Sequence, residues 1–195
     1  MIVAGTETST YASCFTILIL AIYPEVQKNV QSELDSLFGE SHRDPTMEDV
    51  KNMEYLERVI KESLRFFPPI PFVMRKVDET IEIDSQVFPA GSNVIIPMMK
   101  IHMRPDPCSF DPDRFLPEEV EKSHRCAYMP FSHGPRNCPG WKIGITGMKI
   151  TLSSLLRIYT VKPVFYKTVK EIELDYAALM MPKDECQVLL KKRKK

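Results

Sequence analysis

Apolar residues recur along this chain with two spacings, and the geometry predicted for the backbone changes where the spacing changes. Near the start, Phe15 to Ile22 is an unbroken apolar or near-apolar run, which predicts a buried helix. Pro24 suits the first turn of a new helix and disfavours helical geometry in the residue before it, so the first helix is expected to end at Tyr23. In "PEVQKNVQSELDSLFG", Val26, Val30, Leu34 and Leu37 fall at helical spacing and Gly39 supplies a stop, the pattern of an amphipathic surface helix. Thr46, followed three positions on by Asp49, is an acidic variant of the capping box and predicts the start of a short helix. A further helix from about Glu54 has Leu56, Val59, Ile60 and Leu64 as its apolar positions and must stop by "FFPPIP".

Beyond those prolines the apolar runs become short and β-branched. "TIEI" and "NVIIPMM" read as strands, with "FPAGS" as the turn between them. Lys100 to Met129 holds several prolines and little periodicity, an irregular segment of the kind that is usually functional or held by something other than a hydrogen-bond ladder. "GWKIGITGMKITLSSLLRIY" returns to helix, "EIEL" and "CQVLL" suggest a final strand pair, and "KKRKK" reads as a frayed, solvated end. The expected fold is mainly α with small β-sheets, in a single domain over residues 1–195 without internal repeats or a low-complexity linker.

Composition narrows the function classes. The 195 residues are 44% hydrophobic and 27% charged, enough for a core, and 26 Lys plus Arg balance 26 Asp plus Glu. A zero net charge supplies no global field for nucleic acid or an anionic membrane, and no nucleic-acid partner is expected. The first 23 residues resemble a signal or anchor only superficially. No basic region precedes the apolar run, Glu7 and several hydroxyl residues interrupt it, and what remains is too short to span a bilayer. Five scattered cysteines without C-x-x-C spacing argue against a disulfide framework or a structural zinc site and favour a reducing, cytosol-facing compartment.

One of those cysteines stands in a distinctive setting, "PFSHGPRNCPG". Cys138 precedes Pro139, Gly140 and a helical pattern, so its thiol is expected at or just before a helix N-terminus, where backbone N–H groups and the helix dipole favour thiolate. Gly134 permits a positive φ and close approach of a flat ligand, and Arg136 offers a cation for a carboxylate on that ligand. Haem, with iron for the sulfur and propionates for the arginine, meets all three demands. Taken alone, Cys138 also fits a buried structural cysteine in a Pro/Gly turn.

Spacing separates these alternatives. Phe131, Gly134, Arg136, Cys138 and Gly140 match F-x-x-G-x-R-x-C-x-G at every fixed position, and on this motif the chain resembles the cytochrome P450 haem-thiolate monooxygenases. The resemblance implies that Cys138 is the axial ligand of haem iron, donating electron density that favours O–O cleavage, with Phe131 shielding the proximal face. Upstream, "KESLR" resembles the family's E-x-x-R, and "FDPDRF" its P-E-R-F motif with Asp113 in place of Glu. Glu62, Arg65 and Arg114 are then expected in a buried structural triad. "AGTETS" resembles the distal-helix motif A/G-G-x-D/E-T-T/S, which implies that Gly5 loosens the helix, Glu7 supplies protons and Thr8 hydrogen-bonds bound dioxygen. A plainer alternative is a polar start to a core helix whose hydroxyls bond backward to carbonyls. "PPIPFVMR" resembles the loop after the E-x-x-R helix, lining the substrate pocket and turning Arg75 toward a haem propionate; a surface ion pair is the alternative for Arg75. Ile70, Phe72 and Val73 favour a hydrophobic substrate. His102 and His133 occupy no position where the family ligates iron, and a hydrogen-bonding or surface role is expected for them.

The same stretches look most like the animal microsomal branch that includes long-chain fatty-acid ω-hydroxylases. Ala4 stands where many members of that branch carry a Glu able to form an ester with haem, so covalent attachment is not expected; Pro139, Trp141 and Gly144 are further departures. The resemblance covers the C-terminal part of the family's fold, beginning partway through the distal helix, and the chain is expected to be a fragment or truncated product. It implies haem b as cofactor, O2, a lipophilic substrate and an NADPH-dependent flavin reductase as partners, and the cytosolic face of the endoplasmic reticulum membrane as location. A non-catalytic haem-binding polypeptide and a small globular protein with a merely structural cysteine are the competing readings.

Overall fold

A computed structural model describes residues 2–103 and 109–193. Cys108, with Pro105 and Pro107 of the proline-bearing segment, and the last two lysines lie outside the described residues. Four helices come first: α1 (Ile2–Ile22), α2 (Pro24–Phe38), α3 (Met47–Asn52) and α4 (Glu54–Phe66). Tyr23 separates α1 from α2 with non-helical φ −110° and ψ 81°, as the following proline requires. At the start of α3, Asp49 N–H donates to Thr46 Oγ1 at 3.2 Å and Thr46 N–H to Asp49 Oδ2 at 2.7 Å, a complete capping box. Leu56, Val59 and Ile60 on α4 are fully buried, each contributing about 1.5–3 kcal/mol.

The sheets depart from the sequence reading. Strands β1 (Val73–Lys76), β2 (Ile81–Ile83), β3 (Gln86–Phe88) and β4 (Asn93–Ile96) form two antiparallel pairs. "TIEI" does not pair with "NVII": β2 pairs with β3, and β4 pairs with β1, taken from the segment read as a loop. The cause is a two-residue turn at Asp84 (φ 48°) and Ser85 (φ 65°), whose positive φ values suit the twist of a tight hairpin. "FPAGS" instead returns the chain to β1, with Gly91 at φ 86° and its N–H donating to the Val77 carbonyl at 2.7 Å.

Short helices α5 (Met98–His102) and α6 (Pro117–Val120), with a 3-10 turn at Pro112–Phe115, give the irregular segment part of its form. Then follow α7 (Trp141–Ile158), β5 (Tyr159–Pro163), β6 (Leu174–Tyr176), β7 (Met180–Pro182) and β8 (Val188–Lys192). The expected pairing of "EIEL" with "CQVLL" is replaced by two others: β6 pairs with β7 across a short turn, and β8 pairs with β5 directly after α7. Nor is the basic end frayed over its described length. Lys191 and Lys192 belong to β8, and Arg193 forms an ion pair with Asp35.

One core unites these elements, with α1 at its centre. It packs against α4, α7, β5 and β7, burying Phe15, Leu18, Ile19 and Leu20. The buried Gln27 side chain stitches the ends of the sequence together. Its Nε2 donates to the carbonyls of Leu20 (2.8 Å) and Val161 (2.9 Å), and its Oε1 accepts from Val161 N–H at 2.7 Å. Lys149 of α7, almost fully buried, reaches Glu57 of α4 at 2.8 Å. Among the described residues no single helix is long and apolar enough to cross a membrane.

Candidate functional site

The segment leading into α7 folds back on itself before the helix starts. Ser132 (φ 62°) and Gly134 (φ 84°) turn the backbone, and Cys138 N–H donates to the Phe131 carbonyl at 2.9 Å, closing the loop. Asn137 N–H to the Gly134 carbonyl at 3.1 Å and Ser132 N–H to the Met129 carbonyl at 2.9 Å brace it from within. Gly134 has a conformation that favours glycine. At Gly140 a Cβ would stand 4.0 Å from the Cys138 sulfur, an ordinary contact. The Cys138 thiol is half-buried and lies just ahead of the helix that begins at Trp141.

Cys138 borders a cavity of about 380 Å³. From α1 the lining takes Ala4, Thr8 and Ala12, a stripe at four-residue spacing, and from the loop Pro130, Phe131 and Cys138. Met98, Met148, Ile70 and Val73 add apolar surface; Arg75 and Arg136 add two guanidinium groups. Arg75 Nη2 donates to Ser132 Oγ at 3.0 Å and Nη1 to the Met74 carbonyl at 2.9 Å, so it bonds to the loop rather than to a surface carboxylate. A soft sulfur donor, a largely apolar lining and two cations suit an iron porphyrin bearing carboxylates.

Not every sequence-predicted residue joins this cavity. Glu7 is exposed and does not line it, and Gly134 and Gly140 shape the loop without facing it. Thr8 does line it, yet its hydroxyl donates to the Ala4 carbonyl at 2.7 Å, as Thr6 does to Ile2 and Thr10 to Thr6. The backward-bonding alternative therefore describes the hydroxyls of α1, and the helix runs unbroken past Gly5.

Glu62, Arg65 and Arg114 do come together. Arg65 Nε and Nη2 donate to the two Glu62 oxygens at 2.7 and 2.9 Å, Asp111 N–H adds a bond at 3.0 Å, and Arg114 Nε stands 3.6 Å away. Arg65 also donates to the His102 and Ser109 carbonyls, tying α4 to both sides of the irregular segment. His102 plays the hydrogen-bonding part expected of it: its Nε2 accepts from Met129 N–H at 2.8 Å. Burial, with Arg65 nearby, lowers its pKa to about 4, so it is neutral and able to accept. Tyr128 donates to the Lys61 carbonyl at 2.9 Å. The cysteine loop is thus hung from α4 and α5 at its first residues. No cluster of His, Cys, Asp and Glu able to hold a bare metal ion occurs among the described residues.

A family profile described as Cytochrome P450 matches residues 1–190. The chain belongs to the cytochrome P450 family. It is 39% identical over 194 residues to Cytochrome P450 4c3 of Drosophila melanogaster, a match covering 97% of this chain and 36% of that relative. Cytochrome P450 4V2 of Homo sapiens is 37% identical over 193 residues, again with 97% and 36% covered, and Cytochrome P450 4c21 of Blattella germanica is 38% identical over 175 residues, with 88% and 35% covered. The chain spans about a third of the length of these relatives (36% of the first).

Several residues that line this cavity were missed in the sequence. Ala12 could have been found, because Ala4, Thr8 and Ala12 share one helix face. Ser132, which receives Arg75, and Met98, which lies 25 positions beyond Val73 in the chain yet lines the same cavity, gave no local signal.

Proposed function

We propose that this chain is the haem-holding part of a P450 monooxygenase that inserts one oxygen atom from O2 into a lipophilic small molecule. The observation that carries the reading is the cavity in which the Cys138 loop faces the Ala4–Thr8–Ala12 stripe of α1, with two arginines beside it. Haem b, when bound there, supplies iron chemistry that activates O2 with electrons from an NADPH-dependent flavin reductase. The chain's own residues do the rest. Cys138 offers its sulfur as the ligand from just ahead of α7, and the loop bond to the Phe131 carbonyl fixes the cysteine backbone. Phe131, packed against the core, keeps water from the sulfur. Arg75 and Arg136 orient carboxylates of the bound group. Ile70 and Val73 give the substrate an apolar surface, which agrees with a long-chain fatty acid or similar lipid. Thr8 lies where its hydroxyl oxygen can accept a hydrogen bond while donating to Ala4. Action at the cytosolic face of the endoplasmic reticulum rests on the family resemblance.

A second reading, haem binding without turnover, is favoured by one observation: Glu7 does not line the cavity, so the chain does not assemble an acid beside Thr8 there. The first test is the carbon monoxide difference spectrum of the reduced, haem-supplied chain. A red-shifted Soret band that Cys138→Ser removes without loss of helix content is expected, and survival of that band in the variant would overturn the ligand assignment. Product formation with a flavin reductase then distinguishes the two readings.

A further inference from the structure

Nothing in the cysteine spacing suggests a pair, yet folding brings two thiols together. Cys14 lies on α1 and Cys186 in the turn between β7 and β8, 172 residues away in sequence. They meet because α1 packs against both of those strands. The Cys186 Sγ donates to the Cys14 carbonyl oxygen at 3.2 Å, which sets the two side chains beside each other. Both are half-buried. Glu185 (φ 53°) and Cys186 (φ 60°) are both left-handed, which makes the turn tight and brings Cys186 back over α1.

Their electrostatics differ usefully. The neighbouring Cys186 side chain, able to donate to a Cys14 thiolate, draws the Cys14 thiol down to about 7 against the effect of burial, while that same stabilisation of a Cys14 thiolate, with burial, pushes Cys186 up. One sulfur therefore has the thiolate character a nucleophile needs, and its neighbour keeps its proton until the second step.

We propose that Cys14 and Cys186 form a thiol–disulfide site at which a hydroperoxide converts the pair to a covalent bond between α1 and the β7–β8 turn. In the first step the Cys14 thiolate attacks the terminal peroxide oxygen. The O–O bond breaks, the departing oxygen takes a proton as water or alcohol, and Cys14 becomes a sulfenic acid. In the second, the Cys186 sulfur attacks that sulfenyl sulfur, the S–O bond breaks, and the Cys186 proton leaves with the hydroxyl as water. Two thiols are oxidised by two electrons in all, and the peroxide is the species reduced. The bond falls two residues beyond Ala12, so it fastens the helix that carries Thr8 and Ala12 along the cavity to the turn between β7 and β8. This site stands apart from haem, and it holds whether or not the haem reading does.

The test uses the whole 195-residue chain. Reduced protein is treated with a small excess of hydrogen peroxide, remaining thiols are alkylated, and the unreduced digest is mapped by mass spectrometry. A peptide joining Cys14 to Cys186 is expected, with both thiols lost together, Cys126 still alkylated, and dithiothreitol restoring the starting pattern. Full alkylation of Cys14 and Cys186 after peroxide, or a Cys14 that bonds to another cysteine or proceeds to sulfinic acid, would overturn the proposal. In Cys186→Ser, dimedone should trap a sulfenic acid at Cys14 several-fold more than in the parent chain; Cys14→Ser should leave Cys186 reduced. The reverse pattern would refute the assigned roles. Should either variant fail to fold, the cross-link map of the unaltered chain decides the matter.

Discussion

His102 is buried and neutral, and its ring accepts the Met129 N–H at the root of the cysteine loop. Its pKa falls from 6.5 to about 4, chiefly through burial and then through Arg65. Above 6.5 both folded and unfolded chains hold it neutral, and its contribution is present in full. As pH falls through that window the unfolded chain takes up the proton first, and stability is lost, by roughly 3 kcal/mol at the limit. Urea midpoints should therefore drop across this range in the native chain, and His102→Gln, which keeps an acceptor but cannot titrate, should flatten the slope. Glu62 makes a harsher test. Fully buried and receiving Arg65 through both oxygens, it leaves a buried cation when neutralised. Glu62→Gln should cost about 3–5 kcal/mol, measured as a lower urea midpoint. Cys138 stood out in the sequence because four other fixed residues at fixed spacing surround it. Ser132 and Met98 could not, since their roles depend on a strand pairing and a chain reversal that one-dimensional spacing does not encode.

Among the elements, helices followed their local signals closely, and strands did not. A capping box, a proline and an apolar stripe are all written within one or two turns of the helix they define. Strand partners lie elsewhere in the chain, and a two-residue turn at Asp84–Ser85 was enough to redirect two pairings. The α3 cap gives a local prediction: Thr46→Ala removes the acceptor for Asp49 N–H and should destabilise by about 1 kcal/mol in thermal or urea unfolding. At the crossing of α1 and α7, a Cβ on Gly144 would sit 3.9 Å from Ser9 Oγ, with room to spare. Gly144→Ala should accordingly stabilise by up to about 1 kcal/mol through helix propensity, raising the melting temperature; a fall would mean the two helices pack more closely than that distance implies.

The whole molecule carries exposed apolar side chains, Ile70 at the cavity and Met74 and Ile95 on the β1–β4 pair among them. Anything bound selectively to the folded state stabilises it by mass action, about 2.7 kcal/mol at a hundredfold excess over the dissociation constant. Haem should therefore raise the melting temperature in proportion to the logarithm of its concentration and displace an apolar fluorescent dye. Cys138→Ser should weaken both effects.

The Gln27 stitch has a consequence for how the molecule is made. Its partners include Val161, 134 residues downstream, and β8, which pairs with β5, lies later still in the chain. On a ribosome the central helix would emerge well before these neighbours. Such non-local closure slows folding and leaves apolar surface open meanwhile. α1 should thus stay incompletely packed until β5 and β8 have been made, and the yield in a cell should depend on chaperones that shelter it until they arrive.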